Sequence, residues 1–87
     1  MGFAMSANKD FTLTAAFVAV AQGAGSVAFQ GQDWDVEWAI AASATPVSVP
    51  SCIKISKMRE ESLDLKAGEF LMLRGRGICS VVADNVL

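Results

Sequence analysis

Eighty-seven residues suffice for one small domain, which buries only about 60–65% of its unfolded surface. Yet 53% of the residues are hydrophobic, more than a monomer of this size readily hides, so the chain is expected to associate with other subunits. A net charge of −2 gives no basic field for nucleic acid, and the absence of histidine removes the commonest general base, the commonest transition-metal ligand and every Ser-His or Cys-His pairing.

Residues 1–10 read as an N-terminal arm, with Phe3 and Met5 two apart and able to tuck into a neighbour. The apolar run 11–21 follows Lys9 and ends in Ala19-Val20-Ala21, which resembles a secretory leader. Asp10, Thr12 and Thr14 oppose that reading, and the run is too short to cross a bilayer. It is expected to be a strand over 11–20, with Phe11, Leu13, Ala15, Phe17 and Ala19 on one face. Its other face turns apolar at Val18 and Val20, where another chain is expected to cover it. Two glycines in 22–25 mark a turn, 26–30 a short strand with Val27 and Phe29 inward, and 31–33 a second turn.

The stretch 33–41 has the clearest period in the chain. Trp34, Val36, Trp38 and Ile40 share one parity, and Asp33, Asp35 and Glu37 share the other, as in a strand with one dry and one wet face. Each tryptophan can remove about 200 Å² from water, so both are expected in the core. This strand is expected to pair with 26–30 as a hairpin. Residues 42–51, with Pro46 and Pro50, form a crossing loop. Strands then follow over 52–57, 62–66, 70–74 and 78–83, with a charged link at 58–61 and a hairpin tip at Gly75-Arg76-Gly77. The strand at 70–74 is apolar on both faces. Seven short strands divided by Gly or Pro predict an all-β domain over 11–87: an antiparallel β-sandwich, jelly-roll or Ig-like, or a small barrel.

The three acids of 33–37 are read as a solvated face, since one strand cannot wrap a hard cation in oxygen ligands. Arg74 and Arg76 are a solubilising turn or, alternatively, a place for intersubunit ion pairs. The tryptophans have a second reading, as a sugar-stacking platform, which requires one of them to be exposed. Cys52 and Cys79 are read as free thiols, with an internal or intersubunit disulfide as the alternatives. No catalytic constellation, metal site or cofactor site is expected.

The order of motifs is similar to that of small β-sandwich virion proteins of tailed bacteriophages, capsid decoration proteins or capsid-attached fibre domains. The likeness rests on the strand 13–20, Gly25-Ser26-Val27, the aromatic strand ending in Ala42-Ser43-Ala44-Thr45-Pro46, Leu63-Asp64-Leu65, the run 68–75 and the closing Val81-Val82. The resemblance implies a non-enzymatic structural protein on the exterior of a phage particle. It would form a homo-oligomer, a trimer, and bind major capsid or other virion proteins, with no nucleic-acid or membrane partner. The expected contact residues are Phe3, Met5, Val18, Val20, Arg74 and Arg76. The alternative is a carbohydrate- or receptor-binding module of a tail or fibre.

Overall fold

A computed structural model of the chain describes residues 7–45 and 52–87. It contains eight strands: β1 (Ala7–Leu13), β2 (Val18–Gln22), β3 (Gly25–Gly31), β4 (Val36–Ala41), β5 (Ile53–Ile55), β6 (Glu60–Leu65), β7 (Phe70–Gly75) and β8 (Gly77–Ala83). They form two antiparallel sheets in the orders β1-β8-β3-β6 and β2-β7-β4-β5. β1 pairs with β8, β2 with β7, β3 with β6 and β4 with β5. The chain is therefore one long hairpin, rolled so that successive strand pairs alternate between the sheets. The roll is closed by the pairings β3–β8 and β4–β7. This is the jelly-roll form of the expected β-sandwich.

Between the sheets lie Leu13, Val27, Phe29, Leu65, Cys79 and Val81 from the first, and Val20, Val36, Leu71 and Leu73 from the second, all buried. Alternation explains the choice, because successive side chains of a strand point to opposite faces. β7 departs from it as its sequence predicts: Leu71, Met72 and Leu73 are all buried. Met72 points outward beside its partners Ala19 and Ala39, apart from the main core. Trp38 crosses to the opposite sheet and meets Phe29 edge-on, with centroids 6.2 Å apart at 70°. Such a pair adds to what burial alone contributes.

Several expectations are corrected. Ala7 to Asp10, assigned to the arm, belong to β1, while Phe3 and Met5 lie outside the described residues, as do Pro46 and Pro50. The strand expected over 11–20 is two strands in different sheets. The break comes at Thr14, whose hydroxyl accepts a hydrogen bond from Ala16 N at 3.2 Å and whose carbonyl accepts one from Gly75 N at 2.8 Å. Serine and threonine hydroxyls make such turns without glycine or proline. β3 and β4 do not form a hairpin: β3 pairs with β6 and β8, and the chain crosses to the other sheet before β4. β4 begins at Val36, so Trp34 lies in the crossing and not in the core; within β4 the expected dry face fails at its end, where Ala39 is buried and Ile40 is 37% exposed.

The segment 75–77 is a corner and not a hairpin tip. β7 ends at Gly75 and β8 starts at Gly77, so Arg76 alone joins the inner strands of the two sheets. Gly77 has φ +72°, which suits glycine and strains other residues. After β8 the chain runs back along β2, where Val86 bridges Ala21 and Leu87 N donates to Val20 O at 3.0 Å.

Trp38→Ala removes the aromatic contact between the sheets, and a loss of about 3–5 kcal/mol is expected in urea unfolding. A loss below about 1 kcal/mol would contradict the packing of Trp38 against the core.

Candidate functional site

Trp34 is 47% exposed, and its position follows from two glycines. A Cβ on Gly31 would come within 2.6 Å of the Trp34 carbonyl oxygen, and one on Gly77 within 2.7 Å of Trp34 Cδ1. The indole and its backbone thus rest where only glycine leaves room. The Arg76 guanidinium lies over the ring, 4.8 Å from its centroid. This cation–π contact holds the ring at the corner between the sheets.

Beside the indole runs an open groove of about 770 Å³, lined by Asp33, Asp35, Glu37, Lys54, Lys57 and Arg76 together with Trp34 and Gly75. Its volume falls in the range of small-molecule clefts, about 300–1,000 Å³. Asp35 is engaged, accepting from Lys57 N at 3.0 Å and lying 3.7 Å from Lys54 Nζ. Glu37 is engaged by Arg74 at 2.8 Å. Asp33, the Lys57 ammonium and the Arg76 guanidinium enter no ion pair among the described residues. The three acids do not converge, and among the described residues no cluster of acid or thiol side chains forms a metal site.

On the outer face of the second sheet, Lys54, Glu37 and Arg74 stand side by side on β5, β4 and β7. Arg74 also covers the Phe17 ring, 4.5 Å from its centroid. Its hydrogen bond holds the Glu37 carboxyl below the ordinary range, against a smaller opposing effect of partial burial. Cys52 Sγ lies 3.6 Å from Glu37 Oε2 and 3.8 Å from Arg74 Nη2.

Both cysteines are free. Cys52 belongs to the outer face of one sheet and Cys79 to the core face of the other, so the internal disulfide is excluded by their placement. Burial pushes the Cys79 thiol up to about 11, the Asp10 carboxylate adds to this, and a backbone hydrogen bond from Gln30 opposes it.

Of the expected contact residues, Val18 on the edge strand β2 is 39% exposed and Arg76 is exposed, whereas Val20 is fully buried. A bulge between Ala19 and Ala21 turns both Val20 and Ala21 into the core, which corrects the expectation of an outward Val20. Ile78 and Val82 were missed as surface residues: they stand on the outer face of the first sheet, 44% and 41% exposed. The signal was present in β8, whose outward parity carries two large aliphatic residues opposite an already apolar inward parity. Between them Ser80 donates to Asp10 Oδ1 at 2.9 Å, and Gln32 Nε2 donates to Ser80 Oγ at 3.0 Å. Next to Val82 is a depression of about 340 Å³, lined also by Ser26, Ala28, Ser62, Asp64 and Asp84.

Compared with known protein families, curated proteins and solved structures, the chain matches none.

Three outcomes are expected from this geometry. In native protein at pH 8, iodoacetamide labels Cys52, while Cys79 reacts only after denaturation; mass spectrometry showing both labelled equally fast would contradict its burial. Because the folded carboxyl of Glu37 lies below its unfolded value, the stabilisation it gives is present above the unfolded pKa and fades as pH falls through the folded one. Glu37→Gln should therefore flatten the acid limb of a stability–pH curve, and an unchanged limb would show that the pair adds nothing. Gly77→Ala, forced into the left-handed region, should cost about 1–2 kcal/mol by urea titration and shift the Trp34 emission.

Proposed function

We propose that this protein is a non-enzymatic structural component on the exterior of a bacteriophage particle, which stabilises or decorates the capsid by oligomeric docking. The observation that carries the reading is the pair Ile78 and Val82, two aliphatic side chains more than 40% exposed on β8, an inner strand of its sheet. Single exposed hydrophobics are ordinary. Two on an inner strand, with the Ser80–Asp10 hydrogen bond ordered between them and a depression at Val82, make a shaped patch of two apolar side chains about a fixed polar pair. One patch of this size holds weakly. Many copies on a symmetric lattice, each tied to a sister subunit, hold tightly by multivalency. The family likeness in the sequence supplies the particle, and jelly rolls recur in viral capsid domains. That last link is analogy of fold, which does not carry function by itself.

The half-exposed Trp34 favours a second reading, a carbohydrate-binding module of a tail or fibre. An aromatic ring open to solvent at the end of a sandwich, beside unpaired polar groups, is the feature that this reading requires.

Light scattering on the purified chain tests the first reading. A discrete trimer or larger ring is expected, reduced to monomer by Ile78→Glu with Val82→Lys while the far-ultraviolet dichroism stays unchanged. A wild-type monomer that also fails to bind phage shells lacking this protein would overturn it.

A further inference from the structure

We infer that the groove beside Trp34 is a site for a neutral oligosaccharide, an inference that rests on the carbohydrate-binding reading and names its ligand class. Three features of the groove lead there.

The first is the platform. Trp34 is held at the corner by Gly31, Gly77 and Arg76, so its indole is oriented before any ligand arrives, and 47% of the residue stays open to solvent. A sugar ring presents an apolar face of C–H groups, which packs on an aromatic ring; Arg76 covers one face of the indole, so the sugar takes the other. Little side-chain entropy is lost on binding, because the ring is already fixed.

The second is the set of polar groups around the platform. Asp33 has a carboxylate with no ion-pair partner among the described residues, Lys57 an ammonium and Arg76 a guanidinium in the same condition, and all three line the groove with Trp34. A carboxylate accepts and the two cations donate, which matches hydroxyl groups that both donate and accept. Asp35 is engaged by Lys57 N and lies beside Lys54 Nζ, which leaves Asp33 as the groove's unpaired carboxylate.

The third is charge. The lining carries three carboxylates, from Asp33, Asp35 and Glu37, and three cations, from Lys54, Lys57 and Arg76. Arg74, paired with Glu37 from the neighbouring strand, raises the local sum to one positive. A polyanion needs a cluster of unopposed cations, and a cationic ligand needs an unopposed acidic surface. Two unpaired cations, Lys57 and Arg76, beside one unpaired carboxylate, Asp33, are too few for a polyanion and leave no unopposed acidic surface for a cation, whereas an uncharged polyhydroxylated ligand meets no repulsion from either sign. The groove, at about 770 Å³, admits more than one sugar unit.

The test uses the full chain, fluorescently labelled at its amines at low stoichiometry, on an array of immobilised neutral and anionic oligosaccharides. The best neutral oligosaccharide is then titrated in solution against tryptophan emission. The expected result is retention on neutral glycans with no preference for anionic ones, and a saturable change in emission. Trp34→Ala should weaken binding by about tenfold or more, Trp34→Phe by less, and Ile78→Glu, on the other sheet, should leave it unchanged. If Trp34→Ala does not fold, Asp33→Asn and Lys57→Ala, both at exposed unpaired positions, should each weaken binding several-fold. Retention on anionic glycans alone would overturn the neutral assignment and leave the carbohydrate reading standing. No retention on any glycan at millimolar concentration would overturn both. Binding that survives every groove substitution would place the site elsewhere and overturn the inference.

Discussion

The structure depends on the single-residue corner at Arg76. β7 lies between β2 and β4 in one sheet, and β8 lies between β1 and β3 in the other, so the two strands that the corner joins contact four of the remaining six. A corner of one residue leaves almost no slack. The strands cannot slide past each other without breaking both ladders, and their registers fix those of their neighbours. Glycine at 77 makes the corner feasible, because its φ of +72° is strained for any residue with a Cβ. The same glycine leaves the space that the Trp34 ring occupies, and Arg76 closes over that ring. One local constraint thus joins the sheets and presents the exposed aromatic.

Much of the fold was legible because sheet alternation is a strong signal. Val36 and Trp38 inward with Glu37 outward, Val27 and Phe29 inward, and the doubly apolar β7 all follow the pattern read from residue order. The losses have physical causes. At Thr14 the chain changes sheet through a hydroxyl turn, which has no glycine or proline to mark it. At 32–35 the alternation continues through residues that are no longer in a strand, so Trp34 kept the parity of the core while lying outside it. β3 and β4 are neighbours in sequence, and short connections favour hairpins, but each found its partners at long range within the rolled hairpin. The same roll placed Cys52 and Cys79 on different sheets and on faces that do not meet.

Of the candidate surfaces, the sequence singled out Arg74 and Arg76, though as a hairpin tip and not a corner, and raised the exposed-tryptophan alternative. It overlooked Ile78 and Val82, although the outward parity of β8 carries both. The bulge at β2 removed Val20 from the surface: an extra residue shifts parity, and nothing in Ala19-Val20-Ala21 announces it. The two surfaces that emerge lie apart. The patch at Ile78 and Val82 faces outward from the first sheet, and the Trp34 groove opens at the corner and along the second. Under the two proposed readings, docking through the first would leave the groove open to solvent, because the two surfaces share no residues.

The central claim is that the corner holds one tryptophan out of the core while the other, partly buried, packs against it. Acrylamide quenching of the intrinsic fluorescence, on the wild type and on Trp34→Phe, tests it most directly. The account predicts two emitting populations in the wild type, one red-shifted and readily quenched, the other blue-shifted and protected, with only the protected one left after Trp34→Phe. A single protected population in the wild type would shield both indoles and contradict the corner, the groove and the proposed ligand site together.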